Sequence, residues 1–167
     1  MTRAGIAFGS NIPDRLRHLT MARMMIAELP AMRLPMLASA VYETEPVDCE
    51  PGAENFLNAV VEIGWDAEAP ALHAALRRIE SELGRSPVHE RNVSRTIDLD
   101  FLYFGETTLV NPELKLPHPR LHDRRFVLQP LADIRPELVL PMQSCSVAEL
   151  LRELADTSRV VRADSQW

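Results

Sequence analysis

Between Gly5 and Phe104 the apolar residues keep two different periods in a fixed order, and that order restricts the fold more than any other feature of the chain. Residues 5–8, 34–42, 56–65 and 97–104 are apolar runs of strand length, the second interrupted near its start by Pro35. Two helical stripes lie between them. Leu16, Leu19, Ala22, Ile26 and Leu29 follow Pro13-Asp14, and residues 69–83 end at Gly84, a residue suited to closing a helix. Residues 45–54 are rich in Pro, Gly and acid, and residues 85–94 form a long polar loop. The resulting order, βαββαβ, is the ferredoxin-like split βαβ arrangement. It predicts an α+β fold: an antiparallel sheet with both helices on one face and the other face free for a ligand. A short extended piece at 107–110 and helices near 124–133 and 147–155 would be C-terminal additions. With no internal repeat, the 167 residues read as a single domain.

Composition narrows the function. No apolar run reaches the roughly 20 residues of a membrane-spanning helix, and the N-terminus lacks the pattern of a signal peptide. Cys49 and Cys145 are too few for a disulfide framework or a zinc site. A cytoplasmic protein, monomeric and independent of membranes, is expected. The net charge of −6 argues against nucleic-acid binding. Residues 85–125 nevertheless hold seven Lys or Arg against six Asp or Glu, so the acidic surplus lies elsewhere. A local arginine concentration suits a small anionic ligand, and equally a solvated surface of mixed charge.

The run from Ser94 to Gly105 carries the chemistry. Side chains alternate along a strand, so Asp98 and Asp100 share one face, while Ile97, Leu99, Phe101 and Tyr103 share the other. Two carboxylates about 7 Å apart suit a hard cation such as magnesium, which takes one or two carboxylates plus phosphate oxygens. Taken alone, an Asp-x-Asp pair also serves to solubilise an edge strand. Arg85, Arg91 and Arg95 precede the pair, and the run 117–126 adds His118, Arg120, Arg124 and Arg125. Guanidinium groups around a metal site suit a polyphosphate. On the third strand, Phe56 and Asn58 face together, an aromatic beside an amide, which suits a flat heterocycle with donors and acceptors.

These residues resemble the pterin pyrophosphokinases, a family named for 6-hydroxymethyl-7,8-dihydropterin. Residues 94–105 are similar to its Pro-Arg-x-x-Asp-x-Asp signature. Gly9-Ser10-Asn11 resembles its opening motif. Residues 42–47 and 55–60 resemble its pterin-binding segments, Glu80 with Gly84-Arg85 the end of its second helix, and residues 116–131 a further block. The resemblance implies transfer of diphosphate from ATP to the hydroxymethyl group of the pterin, with release of AMP, in folate biosynthesis. It implies two magnesium ions on Asp98 and Asp100, with Arg85 and Arg95 completing the catalytic set. Glu80, Arg85, Arg95, His118 and Arg124 would contact ATP. Phe56 and Phe126 would sandwich the reduced pterin alcohol, with Asn58 on its edge and Thr44 and Val47 lending backbone contacts.

One segment departs from the family's pattern. Arg91-Asn92-Val93-Ser94-Arg95 stands where Arg-Trp-Gly-Pro-Arg is usual, and Pro87 replaces a frequent second loop arginine. The loop 85–94 has Val88 and Val93 as its only apolar anchors, so the sequence predicts that it is mobile without ligand. A ferredoxin-like regulatory module is the rival of another class, but it needs no paired carboxylates. A Walker-type Gly-rich Lys motif is absent, which counts against that class of phosphotransferase.

Overall fold

Nine residues, Thr2–Ser10, form β1, and every other part of the sheet is placed by its neighbours. The computed structural model describes residues 1–46, 52, 54–84, 96–164 and 166–167. Antiparallel partners flank β1 on both sides: Phe56–Trp65 (β4) and Asp98–Phe104 (β5). Both edges of β1 are thus paired, and helices packed on the two sheet faces bury residues 4–10, so it reads as a run of small and apolar residues rather than an alternation. Met32–Ala38 (β2) and Tyr42–Thr44 (β3) both pair with β4, and Val160–Arg162 (β8) pairs with β3. The order is β5-β1-β4-β3-β8, with β2 beside β4. Leu109–Val110 (β6) and Lys115–Leu116 (β7) make a separate two-stranded ribbon.

The helices Arg15–Ala27 (α1) and Ala69–Glu82 (α2) lie on one face, as the order of elements predicts. Leu19, Ala22 and Ile26 of α1 and Leu72, Leu76 and Ile79 of α2 pack on Ile6, Phe8, Ala59, Val61, Leu99 and Phe101. Gly84 follows α2 at φ 94°, the left-handed conformation that glycine adopts without strain.

Three expectations need correction. The opposite face is not wholly free: Arg125–Ile134 (α3) and Val147–Glu153 (α4) cover part of it, with Val127, Leu128 and Leu131 packed on Ala7, Val60, Leu102 and Tyr103. The second strand is split in two. From Ala38 to Tyr42 the chain advances four residues while β4 advances three, from Val61 to Asn58. Ser39 takes up the excess, its hydroxyl accepting the Val60 amide at 2.9 Å. Tyr103 does not share a face with Phe101. Ile6 pairs with Phe101 and Gly5 with Tyr103, so Leu102 is an extra residue, a β-bulge that reverses the alternation beyond it. Leu102 and Tyr103 both enter the layer under α3, and Phe104 returns to the α1–α2 side.

Candidate active site

Two transverse rows of residues follow from the pairing of β4, β1 and β5. Gly9 lies between Asn58 and Asp98, and Ala7 lies between Val60 and Asp100. Residues far apart in sequence thus share one end of one sheet face. A Cβ built on Gly9 would stand 3.4 Å from Asn58 Oδ1, 3.8 Å from the Phe56 ring and 3.9 Å from Asp98 Cβ. Gly9 is therefore a bare floor between the aromatic–amide pair and the carboxylates. On its far side Asn58 donates from Nδ2 to Thr44 Oγ1 at 2.7 Å, and both side chains are buried. That bond fixes the amide so that its carbonyl oxygen faces Gly9.

The first turn of α3 closes the site from above the sheet. Arg124, at its N-terminal boundary, places a guanidinium nitrogen 3.6 Å from Asp100 Oδ2. The same guanidinium lies 5.3 Å from the centre of the Phe126 ring. Arg124 thus joins the aromatic wall to a carboxylate and is held between them.

His118 is set by the bulge in β5. Its amide donates to the carbonyl of Leu102, the unpaired residue, at 2.7 Å. Its Nδ1 accepts from the Arg120 amide at 3.2 Å, so a neutral ring carries its proton on Nε2. Burial pushes the His118 pKa below the ordinary imidazole value, and Arg124 and Arg120 push the same way against the opposing pull of Asp100 and Asp98. The ring is neutral at pH 7, with one N–H to offer an anion.

Glu80 occupies a different position from the others. It is 2% exposed on α2, accepts the Leu99 amide at 2.8 Å and pairs with Arg77 at 3.1 Å. Its carboxylate satisfies an amide on the open edge of β5, which ties α2 to the strand bearing Asp98 and Asp100. Beside that edge runs a cleft of about 280 Å³, lined by His73, Arg77, Asp98, Asp100, Lys115 and His118 among others. His73, Arg77 and Lys115 did not emerge from the sequence: the first two sit on what looks like the solvent face of α2. Lys115 carried a signal, being the sole lysine of the chain.

Asp98 and Asp100 are both partly exposed and present oxygen donors to one face. Among the described residues no cluster of three or more His, Cys, Asp or Glu is arranged to hold a metal. A carboxylate pair alone fits an ion that completes its shell with phosphate oxygens and water, as magnesium does. Val47, Arg85, Arg91 and Arg95, together with the loop expected to be mobile, lie outside the described residues.

Residues 5–136 match the family model for 7,8-dihydro-6-hydroxymethylpterin-pyrophosphokinase (HPPK). The chain belongs to the HPPK family. A Bacillus subtilis 2-amino-4-hydroxy-6-hydroxymethyldihydropteridine pyrophosphokinase is 41% identical over 131 residues, covering 78% of this chain and 77% of that one. The Haemophilus influenzae protein of the same name is 35% identical over 156 residues, covering 93% and 95%. HPPK membership makes this chain an enzyme of the diphosphotransferase class. Its fold matches the Plasmodium falciparum HPPK-DHPS crystal structure with pterin and p-hydroxybenzoate, at a TM-score of 0.70 and 14% identity. That match covers 91% of this HPPK chain and 41% of the longer one, and at such identity it speaks for the fold alone. Among the described residues no helix is long and apolar enough to cross a membrane.

Proposed function

We propose that this protein transfers the terminal diphosphate of ATP to the hydroxymethyl oxygen of 6-hydroxymethyl-7,8-dihydropterin in a magnesium-dependent reaction that releases AMP. The observation that carries the reading is the row Asn58–Gly9–Asp98, which sets the Phe56–Asn58 pair directly beside the Asp98–Asp100 pair. The ring would lie on Gly9 between Phe56 and Phe126, with Asn58 Oδ1 accepting from its edge and Thr44 holding that amide in place. Val47 would add a backbone contact.

ATP would occupy the cleft along β5. Its phosphates would then run past His118 and Arg124 toward the carboxylates, with Lys115 and Arg77 supplying positive charge along the way. Arg85 and Arg95 would complete the phosphate contacts. Glu80 would act at one remove, by holding the strand edge against which the nucleotide lies. The neutral His118 Nε2–H would donate to a phosphate oxygen without needing to be charged. In the transfer, a bond forms between the hydroxyl oxygen and the β-phosphorus. The bond from that phosphorus to the α–β bridging oxygen breaks, the oxygen leaves with AMP, and the hydroxyl loses its proton. When bound at Asp98 and Asp100, two magnesium ions would neutralise phosphate charge and polarise the β-phosphorus. The chain's own contribution is alignment and fixed charge, which together account for large factors in such reactions.

Incubation of the protein with magnesium, ATP and the reduced pterin alcohol tests the proposal. AMP and a pterin diphosphate are expected in equal amounts. ADP in place of AMP would mean simple phosphoryl transfer, and absence of both products would overturn the reading.

A further inference from the structure

The two walls of the proposed pterin site belong to different layers of the molecule. Thr44, Phe56 and Asn58 stand on the sheet, whereas Phe126 stands on α3. The gap between them is set by how α3 sits on the sheet. Its apolar contacts, through Val127, Leu128 and Leu131, are non-directional and tolerate sliding. Directional ties hold its ends, where Arg124 meets Asp100 and Arg135 meets Glu62, each at 3.6 Å, and one more is made from within the helix, by Asp133. The Tyr42 hydroxyl donates to Asp133, at 2.9 Å to Oδ1 and 3.0 Å to Oδ2, and the Ala40 amide donates to Oδ2 at 3.2 Å.

The ends of that tie are in register with the site. Tyr42 pairs with Asn58 across β3 and β4, and it lies two residues from Thr44 on the same face of β3. Asp133 lies seven residues beyond Phe126 on α3, two helical turns along the same side. The carboxylate therefore grips the β2–β3 junction at residues 40 and 42, close to where the chain takes up its extra residue. Burial, then the bond to Asp133 and its charge, raise the Tyr42 pKa, so the phenol stays protonated and donating.

We propose that Tyr42 and Asp133 are positioning residues that fix the separation of the two pterin walls, and so set the affinity for the pterin but not for ATP. The inference rests on the proposed function. Neither residue touches the reacting groups. Their effect passes through Thr44 and Asn58 on one side and Phe126 on the other.

Steady-state kinetics with each substrate varied, alongside thermal unfolding, test the proposal on Tyr42→Phe, Asp133→Ala, Asp133→Asn and the Tyr42→Phe/Asp133→Ala pair. Tyr42→Phe and Asp133→Ala should each raise the pterin KM roughly tenfold, the scale of one hydrogen bond to a charged acceptor, with the ATP KM unchanged. The pair should be no worse than Asp133→Ala alone, because that change already removes the acceptor of the Tyr42 hydroxyl, along with that of the Ala40 amide. Asp133→Asn keeps a carbonyl acceptor for the phenol and should recover most of the loss. Equal rises in both KM values, additive losses in the pair, or an unchanged pterin KM in folded Tyr42→Phe would overturn the assignment while leaving the function standing. A wild-type protein that forms no AMP would instead remove the function, and the inference with it.

Discussion

β1 carries a glycine at each of two rows on the same sheet face, and the rows have been put to opposite use. At one end Gly5 lies between Glu62 and Tyr103; at the other Gly9 lies between Asn58 and Asp98. The Tyr103 ring lies where a Cβ of Gly5 would be, and its hydroxyl donates to Glu62. Glu62, fully buried, also holds Arg3 at 2.8 Å and Arg135 at 3.6 Å. Every direction in which that carboxylate could act is already occupied by protein. At Gly9 no side chain lies as close, and the carboxylates beside it remain partly exposed. A filled row is a brace, and the unfilled one leaves the room that the proposed function requires.

Substitutions at the two rows should therefore fail in different ways. Asp98→Ala should lower kcat by about 10²–10³, the usual loss when a fixed electrostatic group is removed from a reacting site, while thermal unfolding stays at or above the wild-type midpoint. Near-normal turnover would take Asp98 out of the chemistry. Glu62→Ala should do the reverse. Loss of one partner from a buried ion pair costs about 3 kcal/mol, toward the low end because Arg3 and Arg135 can rehydrate. Its kcat per folded molecule should hold. Denaturant unfolding and active-site titration of the same sample separate the two quantities.

The glycines themselves sharpen the contrast. Gly5→Ala drives a methyl into the Tyr103 ring and should cost about 2 kcal/mol as overpacking. Gly9→Ala meets its neighbours at ordinary contact distances, so stability should change by under about 1 kcal/mol while the pterin KM rises. Equal stability losses would erase the distinction between the rows.

The smallest effect concerns alkali. Burial first, then the charge and hydrogen bond of Glu62, push the Tyr103 pKa well above its ordinary value of 10.0. The unfolded phenol releases its proton near pH 10 and the folded one keeps it, so the folded state binds more protons above that pH. Stability is therefore fully present below pH 10 and declines above it, by at most about 1.4 kcal/mol per pH unit from this group. Tyr103→Phe should flatten that limb in urea titrations between pH 9 and 11. An unchanged slope would assign the alkaline loss to other groups.

Features governed by local period were legible in the sequence. The four principal strands, α1, α2 and the facing of Phe56, Asn58, Asp98 and Asp100 follow from alternation and helical spacing. Features governed by pairing were not. The break at residues 39–41 depends on β4, and the position of Tyr103 depends on an extra residue that no alternation rule reveals. Three-residue β8 is a strand because β3 offers it an edge. Tyr42 and Asp133 are 91 residues apart, and nothing in either neighbourhood points to the other. His73 and Arg77 read as a polar helix face because the cleft beside them is built by residues 112–119.

The bulge at Leu102 has a consequence for how this chain can vary in length. Loss of a residue elsewhere in β5, such as Leu99, would turn Asp98 away from its partner and invert the strand's contribution to the site. Loss of Leu102 would restore plain alternation while leaving Asp98, Asp100, Tyr103 and Phe104 each on the side it now faces. What would be forfeited is the carbonyl that takes the His118 amide, together with the Leu102 side chain buried under α3. The extra residue is thus a peg rather than a defect, and a descendant lacking it would keep its sheet and its carboxylates but would have to find another way to hold the histidine.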